Sequence, residues 1–259
     1  PIIGRDRFRE NVESMTAGGG PRVMVVWGPP GCGLQYSVKL LRRAVGTLTP
    51  IVEFSPRELA RYAPPEFLRA LVNGLGMTGL VSHPIPAPNP SEDFPRWLSR
   101  DLMEWLRDRL DDNAKRKQTQ FPAWVVLNIA TPPGERFLWA DQLSELIAAV
   151  AGAQEPGQAR IQIPHLRLLF LASSAEGIPI PGVNRLNEDL SNYVTARDDF
   201  IECLRRAWHS VDRVEPGQAA VLNHLAKLAI EGKPAAEHRK ILSESVRAIL
   251  LEHLQWRSE

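Results

Sequence analysis

Val25 to Ser37 reads VVWGPPGCGLQYS. An apolar run ends at Gly28, four residues follow, and Gly33 opens a segment of helical spacing. This is the backbone pattern of a phosphate-binding loop. Glycines let the chain turn and aim N–H groups at an anion, and the positive end of the following helix favours negative charge. In a working loop the next two residues are Lys, which neutralises phosphate charge, and Ser or Thr, whose hydroxyl holds Mg²⁺. Here they are Leu34 and Gln35. Leu34 carries no charge, Gln35 is a poor Mg²⁺ ligand, and Ser37 lies two residues late. The backbone part of the motif is kept over Gly28, Pro29, Pro30, Gly31, Cys32 and Gly33, and both side-chain functions are missing.

Outward from the loop, strands alternate with helices. Val23 to Trp27 is a continuous apolar run, expected as a strand buried on both faces. Tyr36 to Val45 has helical spacing, and Ile51 to Phe54 is a second short strand. Helices are expected over Arg57 to Ala63 and over Pro65 to Leu75, where a proline suits the first turn. Ser82 to Pro95 is proline-rich and predicts a loop. Trp97 to Asp112 places Leu98, Leu102, Trp105, Leu106 and Leu110 along one side of a helix. Trp124 to Ile129 is a third strand, Ala140 to Ala151 a helix, and Leu166 to Ala172 a fourth strand. This alternation predicts an α/β fold with a parallel sheet between two helical layers, over residues 1–192. From Tyr193 the pattern changes. Thr195 to Trp208, Gly217 to Ile230 and Ala236 to Trp256 predict a C-terminal helical subdomain over 193–259.

Composition narrows the function. The chain has 259 residues, 44% hydrophobic and 24% charged, ordinary for a globular protein. Lys plus Arg is 31 and Asp plus Glu is 30, a net charge of +1, which gives no reason to expect a nucleic acid or an anionic membrane as partner. The basic tract Lys115 to Gln118 follows Asp111 and Asp112 and is expected as a solvated helix end. No run is apolar enough for a transmembrane helix, and no signal-peptide pattern opens the chain. Cys32 and Cys203 have no metal-ligand spacing and are expected as reduced thiols of a cytoplasmic protein. Cys32 lies near a helix start, where a thiol pKa can fall, but no nearby His would act as its base. His83, His165, His209, His224, His238 and His253 form no ligand set, so no metal is expected. No G-x-S-x-G elbow occurs. Trp97, Trp105, Trp208 and Trp256 lie on or beside predicted helices, where core packing is the default and exposure would mark a protein interface. Pro1 suggests a fragment of something longer, or a processed start.

A hydrolase of this kind also needs a carboxylate at the end of a neighbouring strand. In WVVLNI that position holds Asn128, and no carboxylate follows until Glu135. Lys, Ser or Thr, and Asp are thus absent together, and hydrolysis is not expected. No catalytic residue is assigned.

Pro1 to Val12, PIIGRDRFRENV, resembles the entry segment of AAA+ and STAND-class P-loop NTPases. Gly4, Arg5 and Asp6 carry the likeness. VVWGPPGCG resembles their phosphate loop, WVVLNI their acidic strand, and LRLLFLASS the following strand, with Ser173 or Ser174 at the polar sensor position. The terminal helices resemble their helical lid. With its departures, the chain resembles the inactive STAND-like domains of bacterial signalling and defence proteins. The resemblance implies a P-loop NTPase-like three-layer domain that acts as a regulatory or assembly module. Its partner would be another protein or an adjacent domain of the same polypeptide, and no cofactor would be required. The alternative is a nucleotide-gated ATPase switch that binds ATP or ADP through backbone N–H groups without Mg²⁺-dependent hydrolysis.

Overall fold

The structure is a computed structural model. It describes residues 5–17, 20–29, 32–77, 84–87, 97–117, 122–132, 134–140, 142–152, 163, 165–175, 178, 180, 183–191, 231, 233, 241 and 244. The chain divides into two compact units, Pro1–Phe8 with Asp189–Glu259, and Arg9–Glu188. The three helices expected between Thr195 and Trp256 fall outside the described residues, apart from Ile241 and Glu244, which are both helical.

The described elements run α1 (Asp6–Thr16), β1 (Val23–Trp27), α2 (Leu34–Val45), β2 (Ile51–Phe54), α3 (Pro56–Leu59), α4 (Pro64–Gly74), a π-helical segment (Trp97–Leu102) leading into α5 (Met103–Lys117), β3 (Ala123–Ile129), α6 (Leu143–Ala151), β4 (Leu166–Ala172) and β5 (Arg185–Asp189). The sheet order is β2-β3-β4-β1-β5. The β2·β3, β3·β4 and β4·β1 ladders are parallel, with Val25 opposite Phe170 and Phe170 opposite Leu127. The fold is α/β, as the alternation of apolar strands and amphipathic helices predicts.

Side chains on a strand alternate between faces, and the core follows that alternation. Val25, Phe54, Val125, Leu127, Leu168 and Phe170 form one cluster with Leu59 of α3, Phe67 and Leu71 of α4, Leu102 of the π-helical segment, Leu106 of α5, and Leu146 and Ile147 of α6. The other sheet face carries Met24, Val26, Trp124, Val126, Arg167 and Leu169, all buried. Val12 and Met15 of α1 and Val38 and Leu41 of α2 are buried apart from the first cluster. Arg167 ties α1 to this second face. Its Nε donates to the Met15 carbonyl at 2.7 Å and its Nη1 to the Leu166 carbonyl at 3.0 Å. A cation at a helix C-terminus satisfies an orphan carbonyl and complements the helix dipole.

Several boundaries differ from the sequence expectations. α2 begins at Leu34 rather than Tyr36, because Gly33 (φ 85°) turns the chain directly into it. α3 is four residues long instead of seven. Ser55 and Glu58 cap its start reciprocally, and Pro64 holds the preceding Ala63 extended (ψ 157°), as a residue before proline prefers. α6 starts at Leu143, after Gln142 in the left-handed region (φ 67°). The expected helix from Trp97 begins as a π-helical turn. Trp97 is buried and its indole N–H reaches the Pro86 carbonyl at 3.2 Å. Of the proline-rich segment only 84–87 is described, without regular structure. β5 and α1 were not expected. Arg-Leu-Asn-Glu-Asp has a single apolar residue, as an edge strand allows. In α1 the spacing of Phe8, Val12 and Met15 is a helical signal legible in the sequence. No described helix is long and apolar enough to cross a membrane.

Candidate functional site

The glycine loop leaves the sheet at the end of β1, beside the central strand β4. Gly28 N–H, just beyond β1, donates to the Ala172 carbonyl at the end of β4 at 3.3 Å. From β1 the chain crosses toward β2 on one side, whereas β5 lies on the other. Such a reversal opens a crevice at the strand C-termini, where open α/β sheets bind ligands. The loop is a tight turn, with Cys32 N–H on the Pro29 carbonyl at 3.0 Å. Pro30 and Gly31 lie outside the described residues. Gly33 takes φ 85°, ψ 27° at the start of α2 and offers no side-chain cap. The first-turn N–H groups of α2 therefore face the loop without an N-cap side chain.

A cavity of about 260 Å³ adjoins the loop, lined by Gly28, Pro29, Cys32, Leu34, Gln35, Asn128, Ala130, Thr131, Pro132, Leu171 and Ser173. The fold thus brings most of the sequence-selected loop residues together with the acid-strand and sensor positions. Among the described residues that line it there is no carboxylate, lysine or arginine. Cys32 is buried, Leu34 half-buried and Gln35 exposed. Leu34 and Gln35 border the cavity and leave its space open.

The two strand-end positions are engaged by backbone. Asn128 Oδ1 accepts from its own Ala130 N–H at 3.1 Å, a local Asx-type turn that ends β3. Ser173 Oγ donates to the Thr131 carbonyl at 2.7 Å and accepts from the Thr131 N–H at 2.9 Å. One hydroxyl so binds both backbone groups of one residue and joins the end of β4 to the loop after β3. Thr131 is the site residue that sequence reading missed. Its signal was the turn-forming Pro132-Pro133-Gly134 that follows it.

A second cavity, of about 360 Å³, is lined by Ile129, Thr131, Gly134, Glu135, Arg136, Phe137, Ala172, Ser173 and Ser174. Ile129 and Ala172 belong to the opposite sheet face from Asn128 and Leu171, so the bonded Thr131–Ser173 pair stands between the two cavities. Ser174, the other sensor candidate, lines only this second one. Of the entry element, Gly4 lies outside the described residues, and Asp6 is the first residue of α1. Arg5 belongs to the other compact unit, where its guanidinium carbon lies 4.8 Å from the centre of the Phe8 ring. Among the described residues no group of three or more His, Cys, Asp or Glu could hold a metal.

Comparison with protein-family models and with curated proteins gives no match. Among solved structures the chain is similar to a Walker-type ATPase of Pyrococcus abyssi, at 16% identity and a TM-score of 0.45, over 99% of this chain and 77% of that one. It is also similar to Cdc6p of Pyrobaculum aerophilum, at 16% identity and a TM-score of 0.48, over 97% of this chain and 63% of that one. The strand order β2-β3-β4-β1-β5 is the order of AAA+ P-loop NTPases.

Proposed function

We propose that the chain is a pseudo-NTPase module of the inactive STAND-like kind, which acts by protein contact in a larger cytoplasmic signalling or defence protein. The observation that carries this reading is the use made of the strand-end side chains. At the acid-strand position Asn128 turns its oxygen onto Ala130, and at the sensor position Ser173 spends its hydroxyl on Thr131. In a hydrolase these positions serve Mg²⁺, water and the γ-phosphate. Here they hold loops, and Leu34 and Gln35 replace the Lys and Ser or Thr of the loop. A fold that has exchanged charge handling for loop anchoring suits a rigid platform whose partner is another protein or a neighbouring domain.

A second reading, a nucleotide-gated switch, is favoured by the cavity left open beside the glycine loop and by the uncapped start of α2. A thermal-shift titration with ATP, ADP and GTP, with and without Mg²⁺, separates the two. A one-site ligand at about a hundred times its Kd stabilises by roughly 2.7 kcal/mol. The platform reading expects no Mg²⁺-dependent shift. A robust one would sink it in favour of the switch.

A further inference from the structure

We propose that the cavity on the far side of the Thr131–Ser173 pair is a binding site for a free α-amino acid, with Arg136 taking its carboxylate and Glu135 its ammonium. This goes beyond the pseudo-NTPase reading and stands or falls separately from it.

The volume, about 360 Å³, lies within the range of small-molecule sites, roughly 300–1,000 Å³. Among the described residues the lining combines one cation, one anion and the Ser174 hydroxyl with the apolar groups Ile129, Phe137 and Ala172. Arg136 and Glu135 are neighbours of opposite charge, yet among the described residues neither side chain has an ion pair or a hydrogen bond. Both remain available to a ligand.

The segment that carries them is anchored before any ligand arrives. Gly134 at φ 80° completes a turn closed by Glu135 N–H on the Pro132 carbonyl at 3.1 Å. Thr131 Oγ1 donates to the Glu135 carbonyl at 2.7 Å, and Thr131 itself is fastened to Ser173. On the other side Phe137 meets Trp139 edge-on at 5.1 Å, and both pack against the core. A site anchored in this way loses less ordering entropy on binding.

The charge balance selects the ligand. A phosphate or dicarboxylate on Arg136 would bring a second negative charge toward Glu135, whereas a zwitterion matches one charge with each. A guanidinium also suits a carboxylate through paired N–H donors. The apolar lining favours an aliphatic or aromatic side chain.

The test is calorimetric titration of the intact chain with the free proteinogenic amino acids and with inorganic phosphate. L-phenylalanine is then compared with 3-phenylpropanoate, which lacks the ammonium, and with 2-phenylethylamine, which lacks the carboxylate. At least one apolar amino acid is expected to bind, with each matching one-charge analogue weaker by about tenfold or more. Arg136→Gln should weaken the amino acid by about tenfold, and Glu135→Gln should make the amino acid and its des-amino analogue bind alike. Both side chains are exposed, so circular dichroism should show both variants folded. The proposal is overturned if no amino acid binds at roughly ten millimolar. It is equally overturned if phosphate binds more tightly than every amino acid, or if neither substitution changes the affinity.

Discussion

Ser173→Ala tests the central joint of the molecule. The serine hydroxyl donates to the Thr131 carbonyl at 2.7 Å and accepts from its N–H at 2.9 Å. Alanine removes one oxygen and leaves both backbone groups without their partner. A typical intramolecular hydrogen bond contributes a net ~0.5–1.5 kcal/mol, so two contribute about 1–3 kcal/mol. Thr131 and Ser173 are half-buried, and water can replace part of the loss, which puts the expected cost at about 1–2 kcal/mol. Ser174→Ala is the matched control. That neighbouring serine is exposed and has no partner among the described residues, so its loss should stay within about 0.5 kcal/mol. Two measurements check this. The urea midpoint should fall in Ser173→Ala and not in Ser174→Ala, with the slope unchanged. Amide exchange of Thr131 should accelerate by about 5–30-fold in Ser173→Ala. If the two variants have the same midpoint, or the Thr131 amide exchanges as in the parent chain, Ser173 is not the joint described here. A serine that served mainly as a nucleotide contact would instead leave the unliganded chain unchanged and alter ATP affinity.

Other substitutions test the surrounding framework. Gly33→Ala places a Cβ at φ 85° and 3.2 Å from Tyr36 Cδ2. The exposed ring can swing aside, so the left-handed backbone sets the cost at roughly 1–2 kcal/mol, measured by urea unfolding. Gly74→Ala should destabilise the chain even though alanine favours a helix by about 1 kcal/mol. Its Cβ would lie 2.8 and 2.9 Å from the Val52 methyls, and overpacking of that kind costs about 1–3 kcal/mol. Adding Val52→Ala should recover about 1 kcal/mol or more of the clash in a double-mutant cycle, and additive losses would refute it. The Glu58 carboxylate accepts from Ser55 Oγ at 2.6 Å and Ser55 N at 2.7 Å, and these bonds lower its pKa. A depressed carboxylate pKa contributes stability above the unfolded value and loses it as pH falls through the folded one. The urea midpoint should therefore show an acid-limb component that Glu58→Gln lacks, and parallel pH profiles of the two chains would refute the assignment.

The strands β1, β3 and β4 were legible because they are buried on both faces and carry nearly unbroken apolar runs. β5 was not, since an edge strand with one covered position leaves no such run. α3 was read too long because helical spacing continues past Leu59, and the break is set by the extended residue before Pro64. The shared crevice of the glycine loop, Asn128 and Ser173 follows from strand ends that converge in any parallel sheet. The duty of each side chain does not. Ser173 binds a backbone 42 residues away, and no local pattern encodes that distance. Asn128 could be recognised as the wrong residue for Mg²⁺, but its use as a turn former required coordinates.

Two fasteners in this fold differ in chemistry. The Ser55–Glu58 clasp at the end of β2 depends on a carboxylate that acid can neutralise. The strap from Arg167 to the last turn of α1 depends on a guanidinium. Burial lowers the Arg167 pKa from its ordinary value, but an arginine keeps its proton in proteins, and acid only reinforces that state. Acidification should therefore loosen the corner at β2 only as pH falls through the lowered Glu58 pKa, while acid has no proton to add to the strap from Arg167 to α1.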